Sequence, residues 1–157
     1  MIEIPGAADM TIREAKRHLA YHLKEGVVCP CCNRNARARV ERMDKAKAAV
    51  LEAFYRKRGS ALKGTNPWLE SKSLIGDEIH TGDIAAVNIA RGVHGKLVHW
   101  RLLDKHPERK AYRITKKGIM FFEGHMAVFE CLLVYNNLRV GNLDGKITFE
   151  KAIEGGK

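Results

Sequence analysis

The chain has 157 residues, 45% of them hydrophobic, and a formal net charge of +10 from 28 Lys and Arg against 18 Asp and Glu. This composition is typical of a folded domain with its own core, and the longest apolar run, residues 128–135, is too short to cross a bilayer. No charged-then-apolar leader opens the chain, so we expect a cytoplasmic protein with no membrane partner. The positive charge makes a polyanion the first partner to test.

The first predicted helix covers residues 12–25. Thr11 and Glu14 have the spacing of a capping box, in which hydroxyl and carboxylate each accept a hydrogen bond from a free backbone amide. Gly26 stands where a C-terminal cap belongs. Apolar residues recur on one face of this helix at Ile12, Ala15, Leu19 and Leu23.

A cluster of cysteines follows this helix and predicts a zinc site. Cys29 and Cys32 have the spacing of a zinc knuckle, in which two thiolates bind one ion across a tight turn. Such crowding fits metal ligation in a reducing compartment better than a disulfide framework. We predict a structural zinc held by Cys29, Cys32, His18 and His22, with Cys31 as an alternative ligand. In the other interpretation the two histidines are ordinary interfacial residues and the site is half complete.

Residues 34–63 are strongly basic, with ten Lys and Arg against three Asp and Glu, and we predict that they are helical. The apolar positions at helical spacing are Val40, Met43, Val50, Leu51 and Phe54. The basic residues Arg39, Arg42, Lys45 and Arg56 fall on the opposite side of this helix. That side is either an ordinary solvated face or a surface that contacts phosphates.

A Gly-containing loop then leads to a second region with the order of a winged helix-turn-helix. Asn66 and Pro67 predict a short helix, and a further helix, 84–91, is stopped by Gly92. A helix with Leu97 and Trp100 in the core then precedes two strands, at residues 102–103 and 111–115, separated by a polar turn.

In a winged helix the second helix of the motif enters the major groove and the turn between the strands touches the DNA backbone or the minor groove. The outward candidates on that helix are His94, Lys96, Val98, His99 and Arg101, with Arg91 at the end of the preceding helix. Lys105, His106 and Arg109 form the tip of the wing. We expect this region to select the partner and the basic segment 34–63 to supply most of the affinity.

The C-terminal residues predict a β-meander and a last helix. Strands are expected at 127–135 and 138–140, with a turn at Asn136 and Asn137, and Thr148 caps a helix over 149–153. The predicted fold class is therefore α+β. An N-terminal helical module with the cysteine knuckle, residues 1–64, precedes the winged helix-turn-helix, 65–124, and the C-terminal β-hairpin and helix, 125–157.

Three motifs, CPCC at residues 29–32, KLVHWRLLD at 96–104 and YRITKKG at 112–118, carry a resemblance. Together with the basic segment between them, they resemble small winged-helix proteins of bacteriophage and mobile-element genomes. The resemblance covers residues 11–140 and implies a phage origin and a nucleic-acid role, without an established activity. Asn33 and Arg101 stand where such proteins usually have glycine, and we expect Arg101 to lengthen the recognition helix or to add a phosphate contact.

The function expected from these features is non-catalytic binding of duplex DNA by a monomer or homodimer, in regulation of transcription or of host processes. The alternative is a phage-encoded interaction module that binds and inhibits or redirects a host enzyme or defence complex. An enzyme is disfavoured because no catalytic triad, paired carboxylates or phosphate-binding Gly loop is present.

Overall fold

The computed structural model describes residues 10–29, 34–62, 68–70, 73–74 and 84–155. The helices are α1 (Ile12–His22), α2 (Lys45–Leu62), α3 (Ile84–Ala90), α4 (His94–Leu97), α5 (Lys116–Phe122) and α6 (Phe149–Glu154), with a 3₁₀ turn at Val98–Trp100. The strands are β1 (Val27–Val28), β2 (Asn35–Ala36), β3 (Arg39–Arg42), β4 (Leu69–Glu70), β5 (Leu103–Lys105), β6 (Ala111–Ile114), β7 (Val128–Phe129), β8 (Cys131–Tyr135), β9 (Leu138–Asn142) and β10 (Lys146–Ile147). This mixture of helices and small antiparallel sheets confirms the α+β class.

The chain forms two compact units, each built from two stretches of sequence. Unit 1 comprises Met1–Glu41 and Cys131–Leu143, and unit 2 comprises Arg42–Glu130 and Asp144–Lys157. Within the described parts of both units, no helix is at once long and apolar enough to cross a membrane.

Helix α1 begins at the predicted capping box. The Glu14 carboxylate accepts a hydrogen bond from the Thr11 backbone N–H at 2.9 Å, and the Thr11 hydroxyl accepts one from the Glu14 N–H at 3.3 Å. These contacts with Thr11 lower the pKa of Glu14. The helix ends at His22, earlier than predicted, and the chain turns through Gly26 with a φ of +89°. The small core below it contains Leu23, Val27, Ala36, Ala38 and Leu133.

The predicted helix over residues 34–44 is wrong, because this stretch is extended. Ala36 and Ala38 are buried in alternation with exposed neighbours, which is the period of a strand. Strand β3 follows and lies next to β8 in the sheet of order β3-β8-β9. Val40 is therefore not part of an apolar helical stripe, and its side chain is 56% exposed.

Helix α2 is the central helix of unit 2. It begins after Asp44, whose carboxylate accepts a hydrogen bond from the Lys47 backbone N–H at 3.0 Å, as an N-cap does. Its predicted apolar face is confirmed, since Val50, Leu51 and Phe54 are completely buried. Burial of such side chains stabilises a fold by about 1.5–3 kcal/mol each.

The sheet of order β4-β6-β5 lies in the same unit. Leu69 pairs with Tyr112, and Leu103 pairs with Ile114 on the other side of β6. The predicted helix beginning at residues 66–67 lies partly outside the described residues, and the part that is described, β4, is a strand. Its backbone N–H and C=O groups form hydrogen bonds with β6. This pairing is a tertiary contact, which the local sequence signals for a helix do not reveal. Helix α3 and the stop at Gly92 (φ +76°) are confirmed.

Residues 97–102 are fixed by backbone contacts to the start of α5. Leu97 and Trp100 are buried as predicted, and the Trp100 indole N–H donates to the carbonyl of Phe129 at 2.7 Å. The Thr115 hydroxyl donates to the Arg101 carbonyl at 2.8 Å and accepts from the Gly118 N–H at 3.0 Å. A Cβ at Gly118 would overlap the Leu102 carbonyl oxygen, so the chain approaches too closely there for any side chain.

Arg101 ends the helical turn rather than lengthening it, which corrects the expectation from the sequence. Its φ of 58° and ψ of 33° place it in the left-handed region, which disfavours residues with a Cβ and is the usual place of glycine after a helix. This backbone conformation explains why glycine is expected at the position that Arg101 occupies.

The C-terminal prediction is confirmed in part. Asn136 and Asn137, with φ of 48° and 59°, form the tight turn between β8 and β9. The Thr148 hydroxyl accepts from the Lys151 N–H at the start of α6. The single strand expected over 127–135 is instead two strands, because β7 pairs with β10 whereas β8 pairs with β9.

Candidate nucleic-acid interface

Two stretches of the chain carry the same net positive charge. The basic segment, residues 34–63, has ten Lys and Arg against three Asp and Glu, a net charge of +7. Residues 91–117, named here the hairpin segment, have nine Lys and Arg against Asp104 and Glu108, which is also +7. Charge alone therefore does not support the expectation that the basic segment supplies most of the affinity.

Among the described residues of the basic segment, at least five cations are engaged in ion pairs. These pairs are Arg39–Glu41 at 3.1 Å, Arg42–Glu130 at 2.7 Å, Lys47–Asp44 at 2.7 Å, Arg56–Glu52 at 2.6 Å and Arg58–Glu123 at 3.5 Å. Glu123 also accepts a hydrogen bond from the Tyr55 hydroxyl at 2.6 Å, and this bond lowers the pKa of Glu123. Arg34, Arg37 and Lys45 are exposed.

The hairpin segment is paired to a much smaller extent. Arg113 binds Asp104 at 3.1 Å, and the Lys117 ammonium donates to the carbonyl of Trp100 at 2.9 Å. Lys96 is half-buried and has a partner within the chain. The other six cations are exposed, and no carboxylate of the described residues lies within 4.0 Å of their nitrogen atoms. They are Arg91, Arg101, Lys105, Arg109, Lys110 and Lys116. Lys110 and Lys116 were not among the predicted site residues, although counting charge over the whole segment would have found them.

His94 does not lie on the outward face, contrary to the prediction. Its ring packs edge-on against Tyr112, with centroids 4.5 Å apart, and lies 6.5 Å from Phe54. Burial lowers the pKa of His94, and a hydrogen bond with the backbone of Ile89 opposes that shift. The imidazole is therefore neutral at pH 7 and belongs to the core.

The other predicted residues of the recognition helix divide into two groups. Arg91 and Arg101 are exposed as expected. Lys96, Val98 and His99 are half-buried, and both Lys96 and His99 have partners within the chain. The helical stretch from residue 94 to 100 is thus short, and most of its side chains are buried or bound within the protein.

The turn between β5 and β6, residues 106–110, is held by one imidazole. His106 Nδ1 accepts hydrogen bonds from the backbone N–H groups of Glu108 at 3.1 Å and Arg109 at 3.2 Å. The backbone N–H of His106 donates to the Ala111 carbonyl at 2.8 Å, and the imidazole ring stands edge-on to Trp68 with centroids 4.9 Å apart. The turn thus has a defined conformation that its charged composition alone does not predict.

A row of side chains crosses the sheet next to this turn and was not predicted. The Arg113 guanidinium lies over the Trp68 ring, 4.6 Å from its centroid, and its other side is paired with Asp104. Asp104 and Arg113 are directly opposite in the β5–β6 register. Cation–π and cross-strand ion contacts of this kind order the exposed face of a small sheet.

The candidate zinc ligands lie in unit 1, where Cys31, Cys32 and the rest of residues 30–33 are outside the described residues. Strands β1 and β2, which flank these residues in the sequence, pair antiparallel, and the Cys29 N–H donates to the Arg34 carbonyl at 2.8 Å. The rings of His18 and His22 are 4.5 Å apart, and His18 Nε2 is buried without a hydrogen-bond partner among the described residues. No three potential ligands cluster within the ranges described, and the zinc site stays a prediction.

Comparison with known proteins gives no further assignment of this surface or of the cysteine hairpin. No protein-family model, curated protein or solved structure matches this chain.

Proposed function

We propose that this chain binds duplex DNA without catalysing a reaction and that the hairpin segment is the contact surface. One observation carries the proposal, namely the six exposed cations, from Arg91 to Lys116, that have no carboxylate partner among the described residues. A cation that is already paired gains little when a phosphate replaces its carboxylate. An unpaired cation displaces counterions from DNA and so contributes to affinity.

The order of elements in unit 2 supports a winged helix-turn-helix. Helices α2, α3 and α4 precede the β5–β6 hairpin, and the short strand β4 completes a sheet of order β4-β6-β5. In a winged helix such a hairpin lies beside the recognition helix, so both can contact one duplex. We infer that the β5–β6 turn is the wing.

Many side chains of the recognition helix already make contacts within the protein, which supports binding mainly through phosphate contacts. His94, Leu97 and Trp100 are buried, and Lys96 and His99 have intramolecular partners. Specific recognition needs side chains that reach base edges, whereas phosphate contacts carry no sequence information. We therefore expect binding with weak discrimination between duplexes.

The test is a titration of a short fluorescent duplex of mixed sequence, followed by anisotropy at increasing salt concentration. Six phosphate contacts would give a slope of about −5 in a plot of log affinity against log salt. Duplexes of unrelated sequence should bind with affinities within about tenfold of each other. Absence of binding at low salt, or binding that salt leaves unchanged, would contradict the proposal.

On this proposal the chain is a regulator of phage type, acting on transcription or on host processes in the bacterial cytoplasm, as a monomer or homodimer. The residues expected from the sequence on the first basic segment, Arg39, Arg42 and Lys45, stay candidates for additional contacts. Of these three, Lys45 is exposed without a carboxylate partner among the described residues.

A second candidate function is docking on a host protein, and the apolar surface of unit 1 favours it. Four of the six large hydrophobic side chains that are exposed within the described ranges belong to unit 1. They are Tyr21, Val40, Leu138 and Val140. A contiguous patch of exposed apolar side chains marks an interaction surface, and Leu138 and Val140 lie two positions apart on strand β9, as neighbours on one face do. A tight complex with a host protein that survives high salt, together with no affinity for any duplex, would favour this function over DNA binding.

We also propose that Cys29 and Cys32 bind a structural zinc ion with His18 and His22, or with Cys31 in place of one histidine. The β1–β2 hairpin and the unpartnered His18 Nε2 support this proposal. Metal analysis of the purified protein should find one zinc per chain. The double substitution Cys29→Ser and Cys32→Ser should abolish zinc binding and lower stability, whereas Cys131→Ser should keep the metal. Full stability of the double variant would contradict a structural zinc.

A further inference from the structure

We propose that His106 is a positioning residue that sets the β5–β6 turn in the conformation that binds phosphates of duplex DNA. This inference rests on the proposed function, because it names what makes the wing competent to bind.

The contacts of His106 join both sides of the turn. Its Nδ1 accepts from the N–H groups of Glu108 and Arg109 at 3.1 and 3.2 Å, while the backbone N–H of His106 donates to the Ala111 carbonyl at 2.8 Å. The side chain of His106 therefore holds two backbone amides inside the turn, and its backbone joins the end of β5 to the start of β6. The half-buried ring cannot swing away without losing its edge contact with Trp68.

These contacts define the state of the imidazole. A nitrogen that accepts two hydrogen bonds must carry a lone pair, so the ring is neutral and its proton is on Nε2. A ring with a proton on Nδ1 would face two N–H donors and would release both. The turn conformation and the tautomer of His106 thus depend on each other.

The positioned groups are the cations of the turn. Lys105, Arg109 and Lys110 are exposed, and no carboxylate of a described residue pairs with them. Glu108 stands between them, so the turn also carries a charge that repels phosphate. A disordered turn would allow the Glu108 carboxylate to approach the same phosphates as its neighbours. Because the Glu108 and Arg109 amides are held, the side chains of opposite charge leave the turn in fixed directions. The turn also loses less conformational entropy when it binds DNA.

The experiment compares His106→Ala with His106→Asn in the full chain. Asparagine places its side-chain oxygen near the position of Nδ1 and accepts hydrogen bonds there, whereas alanine has no acceptor. We expect His106→Ala to weaken binding of the mixed-sequence duplex about tenfold and His106→Asn to stay within about twofold of the wild type. Amide hydrogen exchange should speed up at Glu108 and Arg109 in the alanine variant and should be largely restored in the asparagine variant.

A spectroscopic readout keeps the test independent of folding losses. In the wild type, nitrogen NMR should identify His106 Nδ1 as the unprotonated, hydrogen-bonded nitrogen. Equal duplex affinity of the wild type and both variants, or a proton found on Nδ1, would overturn the proposal while leaving DNA binding intact. A wild-type protein that binds no duplex would instead refute the proposed function itself.

Discussion

The basic segment and the hairpin segment have the same net charge, but more of the cations in the basic segment form ion pairs. Within the described residues, at least five cations of the basic segment are paired with carboxylates, whereas in the hairpin segment a carboxylate partner is described for Arg113. A surface ion pair contributes little to stability, but it lowers the potential that a polyanion meets. Net charge therefore locates two candidate surfaces, and the contacts of each cation decide between them.

The largest effect on stability is expected from Gly118→Ala. This substitution tests whether the fold of the hairpin segment depends on the close approach of Gly118 to the backbone of Leu102. The new Cβ would overlap the Leu102 carbonyl oxygen, and such overpacking costs about 3 kcal/mol. Gly95→Ala is the matched control, because its Cβ would have only an ordinary contact at 3.9 Å with the Tyr112 hydroxyl. Urea unfolding measures both variants. Equal stabilities of the two would mean that α5 does not hold residues 101–102 as described.

The direct test of the comparison removes three cations from each segment. The triple substitution of Lys105, Arg109 and Lys110 by alanine should reduce the salt slope by about 2.7 units and the affinity about 30-fold at moderate salt. The matched triple replaces three ion-paired arginines, Arg39, Arg42 and Arg56, and should change the slope by less than about 1 unit. The reverse ranking, measured by duplex anisotropy, would assign the contact to the basic segment.

The third prediction uses the burial of His94 inside the hairpin segment. Because burial places its folded-state pKa below the ordinary value of 6.5, the unfolded state binds a proton more readily. The free energy of unfolding should therefore be fully retained above the unfolded-state pKa and should fall as the pH drops below it. The slope has an upper limit of about 1.4 kcal/mol per pH unit.

His94→Leu removes this titration, so its urea-unfolding curves should lose that part of the pH dependence. An identical pH dependence in the wild type and His94→Leu would show an exposed imidazole, and would return His94 to the candidate contacts.

A smaller effect is expected at Arg101, where charge and backbone conformation are separable. Arg101→Gly should stabilise the protein by about 1 kcal/mol, because glycine adopts the left-handed conformation without a Cβ penalty. Arg101→Ala keeps a Cβ and should leave stability nearly unchanged. Both variants lose one cation and should reduce the salt slope by about 0.9. A slope unaffected in either variant would remove Arg101 from the interface.

The smallest predicted effect comes from Glu130→Gln, which removes the carboxylate that Arg42 contacts at 2.7 Å. If pairing is what withholds Arg42 from DNA, the variant should bind duplex about twofold more tightly at low salt. Arg42→Ala in the same background should cancel the gain. No gain in the single variant would mean that the position of Arg42, rather than its pairing, keeps it from contributing.

Local patterns were sufficient for several elements and insufficient for others. The capping box at Thr11, the cap at Thr148 and the core positions of Leu97 and Trp100 depend on residues a few positions apart, and all were predicted. The extended conformation of residues 35–42 and strand β4 depend on pairing with β8 and β6, which lie far along the chain. Propensity is a weak guide where such tertiary contacts decide.

The same reason limits prediction of the candidate site. Which cations are neutralised cannot be inferred from spacing, because Glu130 is 88 residues from Arg42 and Glu123 is 65 residues from Arg58. The outward assignment of His94 failed because a seven-residue helical stretch leaves most of its faces in contact with α2 and the sheet. Arg109 was correctly placed in the β5–β6 turn, since a polar turn between two strands has few other positions for it, whereas Lys110 in the same turn was missed.

The interleaving of the two units has a consequence for synthesis of the protein. Unit 1 contains β3 near residue 40 but also β8 and β9, which end at residue 142. On the ribosome the sheet that contains β3 therefore stays incomplete until residue 142 has emerged. Residues 42–130 have their core by then, apart from α6 and β10. A truncation after residue 64 would leave β3 without its neighbour, and such a fragment should be a substrate for proteases rather than a folded module.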